Sequence, residues 1–154
     1  MKIICIGKNY LEHAKEMGDI APKKPIFFLK PDSAILPKRN PFYIPNFSNE
    51  LHHEVELIIK IKKLGKCINL NFAKEYYSEI GLGIDFTARD IQKKCKEKGH
   101  PWEIAKAFDQ SAVISDSFID INSLSDINFH LDKNGKTVQK SNIKDMIFSI
   151  DEII

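Results

Sequence analysis

The sequence has no apolar run long enough to cross a bilayer. Its uncharged apolar stretches, such as Pro25–Leu29, fall far short of the roughly 20 residues that a spanning helix needs. Cysteine is scarce. Cys5, Cys67 and Cys95 are odd in number and far apart, which excludes a disulfide framework and a zinc knuckle and points to a reducing cytosol. An excess of one charge is missing too, since the net charge is only +2. The densest basic stretch, Lys93-Lys94-Cys95-Lys96-Glu97-Lys98, reads as the solvated C-terminal end of a helix, where cations suit the dipole. No reader motif accompanies it, so neither a nucleic acid nor a membrane is expected as a partner. The opening Met1-Lys2-Ile3-Ile4-Cys5-Ile6 resembles a signal peptide only superficially, because it runs into Gly7-Lys8-Asn9 without a cleavage-like site. Repeats and low-complexity tracts are absent. What is there is a globular composition, 43% apolar and 29% charged over 154 residues, enough for a single domain with a core.

Local patterns suggest strands over Lys2–Ile6, Pro25–Leu29, His52–Lys62 and Ile80–Asp85. Asn9 is placed to cap a short helix over Tyr10–Met17, with Gly18 as its stop. The stretch Pro31–Pro45 carries four of the seven prolines and reads as loop. Phe72–Ser78 suggests a short helix. Thr87-Ala88-Arg89-Asp90 has a capping-box pattern opening a helix to Lys98, with Gly99 as its stop. Asn134-Gly135 between two strand-like segments signals a hairpin. Ser149-Ile150-Asp151-Glu152 again has the pattern of a helix start, close to the last residue, Ile154. A single turn has little stability of its own. The expectation from this is a chain truncated at its C-terminus.

The chemistry-bearing residues stand out on the third strand. Alternation puts Val55, Leu57, Ile59 and Ile61 on one face and His52, Glu54 and Glu56 on the other. Two carboxylates two positions apart lie within about 7 Å along the strand, near enough to share one cation. Hard oxygen ligands favour Mg²⁺, Mn²⁺ or Ca²⁺ over zinc. On that spacing alone, a solvated edge strand is the plainer reading. Asp85 alone could equally be a turn residue. His13 and Glu16 share a helical face and could pair as an acid–base dyad, or simply decorate a wet surface. Lys106 lies in the apolar stretch Ile104-Ala105-Lys106-Ala107-Phe108, where a lysine can also snorkel to solvent.

Five strings, in order, resemble the fumarylacetoacetate hydrolase family. They are Gly7-Lys8-Asn9-Tyr10-Leu11-Glu12-His13-Ala14-Lys15-Glu16, Phe28-Leu29-Lys30-Pro31, His52-His53-Glu54-Val55-Glu56-Leu57, Asp85-Phe86-Thr87-Ala88-Arg89-Asp90-Ile91-Gln92, and the stretch from Gly99-His100-Pro101-Trp102 to Asp109. The likeness is to the small acylpyruvate hydrolase and oxaloacetate decarboxylase branch. It implies an α+β fold, a mixed β-roll or β-sandwich with short helices, in which residues 1–154 form one catalytic domain lacking its C-terminal strands. It implies three metal carboxylates at Glu54, Glu56 and Asp85, holding Mg²⁺ or Mn²⁺ with Ca²⁺ as an alternative, and a homodimer. By the same likeness His13 and Glu16 form a water-activating dyad on a lid segment. Lys106 points at the metal site, Gln92 contacts substrate and Arg89 is structural. Trp102 is expected in the core or a pocket wall, while Lys30 matches a family position without a role.

The function so implied is metal-dependent cleavage of a C–C bond in a small 2-oxo or 2,4-dioxo acid, an acylpyruvate for instance, through a metal-stabilised enolate. Oxaloacetate decarboxylation and isomerisation of an unsaturated oxo-diacid of the 2-hydroxyhepta-2,4-diene-1,7-dioate type use related chemistry and stay open. An alternative of another class is a non-catalytic fragment that binds metal weakly.

Overall fold

The computed structural model describes residues 1–10, 21–124 and 126–154. His13, Glu16 and the helix expected after Tyr10 lie outside the described residues, as does the stop at Gly18. The rest is α+β, with mixed sheets and short helices. Strands β1 (Ile3–Gly7) and β2 (Ile26–Lys30) form a two-stranded sheet. In a larger sheet β3 (Leu51–Ile61), β4 (Tyr77–Ala88) and β5 (Ala112–Ile114) lie in that order, and β6 (Ile119–Asp120) also pairs with β4. The pairings of β4 with β5 and with β6 are antiparallel. Helices α1 (Arg89–Lys98) and α2 (Glu103–Lys106) follow β4. The chain then forms the antiparallel hairpin of β7 (Asn128–Lys133) and β8 (Lys136–Asn142), and a one-turn helix α3 (Ile150–Ile153). Among the described residues no helix is long and apolar enough to cross a membrane.

Two compact units make up the chain. The first comprises Met1–Cys5, Phe27–Glu56 and Leu82–Ser115; the second comprises Ile6–Ile26, Leu57–Gly81 and Asp116–Ile154. Their interiors differ in kind. The second unit buries Ala73, Tyr77, Ile80 and Phe129, with Tyr77 Oη donating to Asp151 Oδ1 at 2.7 Å. The first buries small or aromatic residues, among them Phe28, Ala34, Ala88, Ala105 and Ala112. It also buries Lys30, Ser48, Asp85, Thr87, Arg89, Gln92, Lys106 and Ser111. Charged side chains are almost never fully buried unless paired, so the first unit contains a built polar site.

Local sequence signals hold where they act through the backbone. Asn134 and Gly135 both take positive φ, 53° and 76°, as the tight hairpin requires. Gly99 ends α1 in the left-handed region at φ 65°. Ser149 and Glu152 make the reciprocal capping box, and a single helical turn does form behind it. The expected helix over Phe72–Ser78 is instead a 3₁₀ turn at Leu70–Glu75, capped by the Asn69 side chain. Tyr77 and Ser78 already belong to β4, because Tyr77 is drawn into the core of its unit.

Two expected caps are diverted. The Thr87 hydroxyl does not cap α1, which begins without a side-chain cap; it accepts from the buried Lys106 Nζ at 2.6 Å. Asp90 is taken up by Ser48 Oγ at 2.6 Å and the Asn49 amide at 3.2 Å. The Asn9 side chain also faces a distant partner. Its Oδ1 accepts from the Phe148 amide at 2.8 Å and its Nδ2 donates to the Phe148 carbonyl at 3.1 Å. For Thr87 a long-range partner that sequence cannot reveal outcompetes the nearby backbone, while Asp90 is shared between its distant partners and the adjacent Ile91 amide at 3.0 Å. Replacing Asn9 by Ala is expected to leave both Phe148 groups without that partner and to cost about 1–3 kcal/mol. Urea unfolding would show this as a lower midpoint at unchanged slope; an unmoved midpoint would mean that water satisfies Phe148 equally well.

Candidate metal centre

The site of the first unit is assembled on two neighbouring strands. Along β4 the buried residues Gly83, Asp85 and Thr87 alternate with the more exposed Leu82, Ile84 and Phe86, so Asp85 and Thr87 share the inward face. The same two-residue period carries Glu54 and Glu56 on β3. Ala112 of β5 pairs with Asp85, and the Phe86 amide donates to the Ser111 carbonyl at 2.9 Å, which sets Ser111 beside the site. Lys30 closes β2, where Phe28 and Lys30 are buried and Phe27 and Leu29 are not. Lys106 is the last residue of α2.

Lys106 Nζ donates to Glu54 Oε2 at 2.7 Å, to Asp85 Oδ2 at 2.7 Å and to Thr87 Oγ1 at 2.6 Å. Two 2.7 Å contacts to one nitrogen put those carboxylate oxygens no more than 5.4 Å apart. The other oxygen of each carboxylate meets a different cation. Arg89 grips Glu54 Oε1 and also donates to Gln92 Oε1 and, at 3.5 Å, to His52 Nδ1. Lys30 Nζ lies 2.8 Å from Asp85 Oδ1 and donates to Ser111 Oγ at 3.0 Å, to the Ser111 carbonyl at 3.1 Å and to the Lys106 carbonyl. An ammonium has three protons, and those three acceptors use them. Asp85 Oδ1 therefore has an ion-pair neighbour but no aligned hydrogen-bond donor.

The electrostatics follow from this geometry. Burial works against the Lys106 charge, but Asp85 and Glu54 outweigh it and hold the ammonium above the usual lysine range. For Lys30 burial, helped by the like charge of Lys106, outweighs the attraction of Asp85, so it lies below that range. Burial would raise the Glu54 carboxyl, yet Lys106 and Arg89 bring it well below the ordinary range. For Glu56 burial, then the charges of Asp85 and Glu54, outweigh Lys106 and Lys30 and push it up to about 8. Burial and the Asp85 charge also push the Cys5 thiol up to about 12, which makes it inert as a nucleophile.

Of the residues expected from the sequence, Lys106 is thus in direct contact with Glu54 and Asp85, and Glu56 is close enough to feel the charges of all three. Gln92 is buried and tied to Arg89, which links it to Glu54. Trp102 packs against Phe28, ring centres 6.0 Å apart. Ser111 is the member that sequence reasoning missed, and Lys30, matched to a family position without a role, proves to pair with Asp85. Among the described residues no three acidic, histidine or cysteine side chains already surround a common point. The donor set nevertheless fits a hard divalent cation: three carboxylates close to one another, one with a buried oxygen lacking an aligned donor.

The model for the fumarylacetoacetate hydrolase C-terminal family matches residues 2–154. The mitochondrial oxaloacetate tautomerase of Bos taurus is 38% identical over 155 residues, which are 99% of this chain and 70% of that protein. The mitochondrial oxaloacetate decarboxylase of Dictyostelium discoideum is 41% identical over 157 residues, 99% of this chain and 72% of that protein. A crystal structure of fumarylpyruvate hydrolase from Pseudomonas aeruginosa, in complex with Mn²⁺ and pyruvate, superposes with a TM-score of 0.89. It is 34% identical, covering 99% of this chain and 68% of that one.

Replacing Lys30 by Met, which keeps the length and removes the charge, is expected to destabilise the chain by about 3–5 kcal/mol, the range for breaking a buried ion pair from one side. Urea unfolding measures it. Unchanged stability would show that Asp85 is satisfied without Lys30.

Proposed function

The chain belongs to the fumarylacetoacetate hydrolase family, and on that footing we propose that it is a divalent-metal-dependent enzyme cleaving a C–C bond in small 2-oxo or 2,4-dioxo acids. The observation that carries this is the pair Glu54 and Asp85, joined through one buried ammonium, with a buried oxygen of Asp85 still lacking an aligned donor. Glu54, Glu56 and Asp85 would hold the cation, Mg²⁺ or Mn²⁺ by donor chemistry; the Mn²⁺ of the Pseudomonas aeruginosa hydrolase supports the second. Bound there, the cation supplies a Lewis acid that polarises the oxygens of a 2-oxo carboxylate.

The chain's own residues do the rest. His13, paired with Glu16, takes a proton from water as the oxygen adds to the distal carbonyl. The C–C bond then breaks, the departing three-carbon fragment leaves as an enolate, and a proton returned to carbon gives the 2-oxo acid and a carboxylic acid. Lys106 supplies positive charge beside the negative charge that develops. Gln92, oriented by Arg89, contacts the substrate. The relatives named for oxaloacetate tautomerase and decarboxylase favour a second reading, in which the same site handles the enol of oxaloacetate without the attacking water. We further take the 154 residues as one catalytic domain, working as a homodimer in a reducing compartment, the cytosol; the three cysteines are unpaired.

Turnover of an acylpyruvate and of oxaloacetate, with and without Mg²⁺ or Mn²⁺, tests the proposal and separates the two readings. Asp85→Asn is expected to lower kcat/KM by at least about 100-fold, since even partners outside the metal shell are worth 10–100-fold. His13→Ala is expected to lower hydrolysis by about 10²–10⁴-fold while leaving metal affinity unchanged. Metal binding with no turnover on either substrate would identify a non-catalytic metal-binding chain instead.

A further inference from the structure

The cations of the site are not equivalent. Arg89 and Lys30 each hold the outer oxygen of one carboxylate and are themselves anchored, Arg89 by Gln92 and His52, Lys30 by Ser111 and the Lys106 carbonyl. Lys106 alone joins the inner oxygens, Glu54 Oε2 and Asp85 Oδ2, and its third proton goes to a neutral hydroxyl, Thr87 Oγ1. Its side chain is 3% exposed. A divalent cation sits about 2.0–2.6 Å from each carboxylate oxygen, so one shared by the two inner oxygens needs them no more than about 5 Å apart. The two 2.7 Å contacts hold them within 5.4 Å. That is the space which the ammonium fills.

We propose that Lys106 is the internal counter-ion of the cation site, holding the position between Glu54 and Asp85 and exchanging with the divalent metal for the same two oxygens. This rests on the reading of Glu54 and Asp85 as metal ligands. The arrangement meets two demands at once. With the ammonium in place, the inner oxygens of two neighbouring carboxylates face positive charge as their outer oxygens do, so the unit needs no metal to balance them. When the metal takes the inner oxygens, Arg89 and Lys30 still orient both carboxylates from outside, and the released ammonium is a cation available to substrate. The exchange is within reach because Lys106 carries its charge on a flexible four-carbon stem at the end of the four-residue helix α2.

A lysine that merely supports a metal site weakens metal binding when it is removed; a competing counter-ion strengthens it. In the full chain stripped with a chelator, Lys106→Met is expected to bind Mn²⁺ about tenfold or more tightly than the wild type by calorimetry, as loss of a like charge at contact distance requires. The same variant without metal should unfold at lower urea, and Mn²⁺ should raise its midpoint more than it raises that of the wild type. Thr87→Val, which removes only the third acceptor, should tighten Mn²⁺ binding by a smaller factor and decides the matter if Lys106→Met does not fold. Equal or weaker Mn²⁺ binding in the folded lysine variant, or in Thr87→Val where that alone folds, would overturn the proposal. Wild-type Mn²⁺ binding that is absent, or indifferent to Asp85→Asn, would overturn the metal reading itself and this inference with it.

Discussion

Carboxylates cannot be buried side by side unless positive charge is buried with them. Removing an ion from water costs several kcal/mol even after the protein relaxes, and like charges in a poorly screened interior add to that. In the first unit the requirement is met for Glu54 and Asp85 by three cations. Lys106 lies between two of the carboxylates, while Arg89 and Lys30 hold their outer oxygens. The small side chains around them, Ala34, Ala88, Ala105 and Ala112, leave room for this polar interior.

The matching has consequences along the backbone. Lys30 bonds the carbonyls of Lys106 and Ser111, so the end of α2 and the approach to β5 are fixed by the same ammonium that pairs with Asp85. Thr87 gives its hydroxyl to the site at the expense of a helix cap. Glu56, pushed up by burial and by the charges of Asp85 and Glu54, is the carboxylate whose ionised form most needs a cation. These features sit together in a family whose named members act on oxo acids, one of them with Mn²⁺ in its crystal structure.

How much was legible beforehand depends on the range of the interaction. The ordered motifs named the family, and the two-residue period of β3 put Glu54 and Glu56 on one face. The hairpin at Asn134-Gly135 and the helix stop at Gly99 were also readable, because a positive φ is a property of one residue and its neighbours. The capping box expected at Thr87 was misleading, since the same pattern of residue types serves a local cap or a distant lysine, and the choice is made by burial.

By itself the sequence determined the donor chemistry: acids on alternating strand positions, a lysine inside an apolar helix, and turn residues that bring the elements round. Only the tertiary structure decided which cation meets which oxygen. Lys106 reaches Glu54 across 52 positions of chain, and Lys30 reaches the Lys106 carbonyl across 76. No spacing rule covers such separations. A pairing of that kind depends on which side chains are left without water when the strands close, and that is known only once every neighbour has been placed.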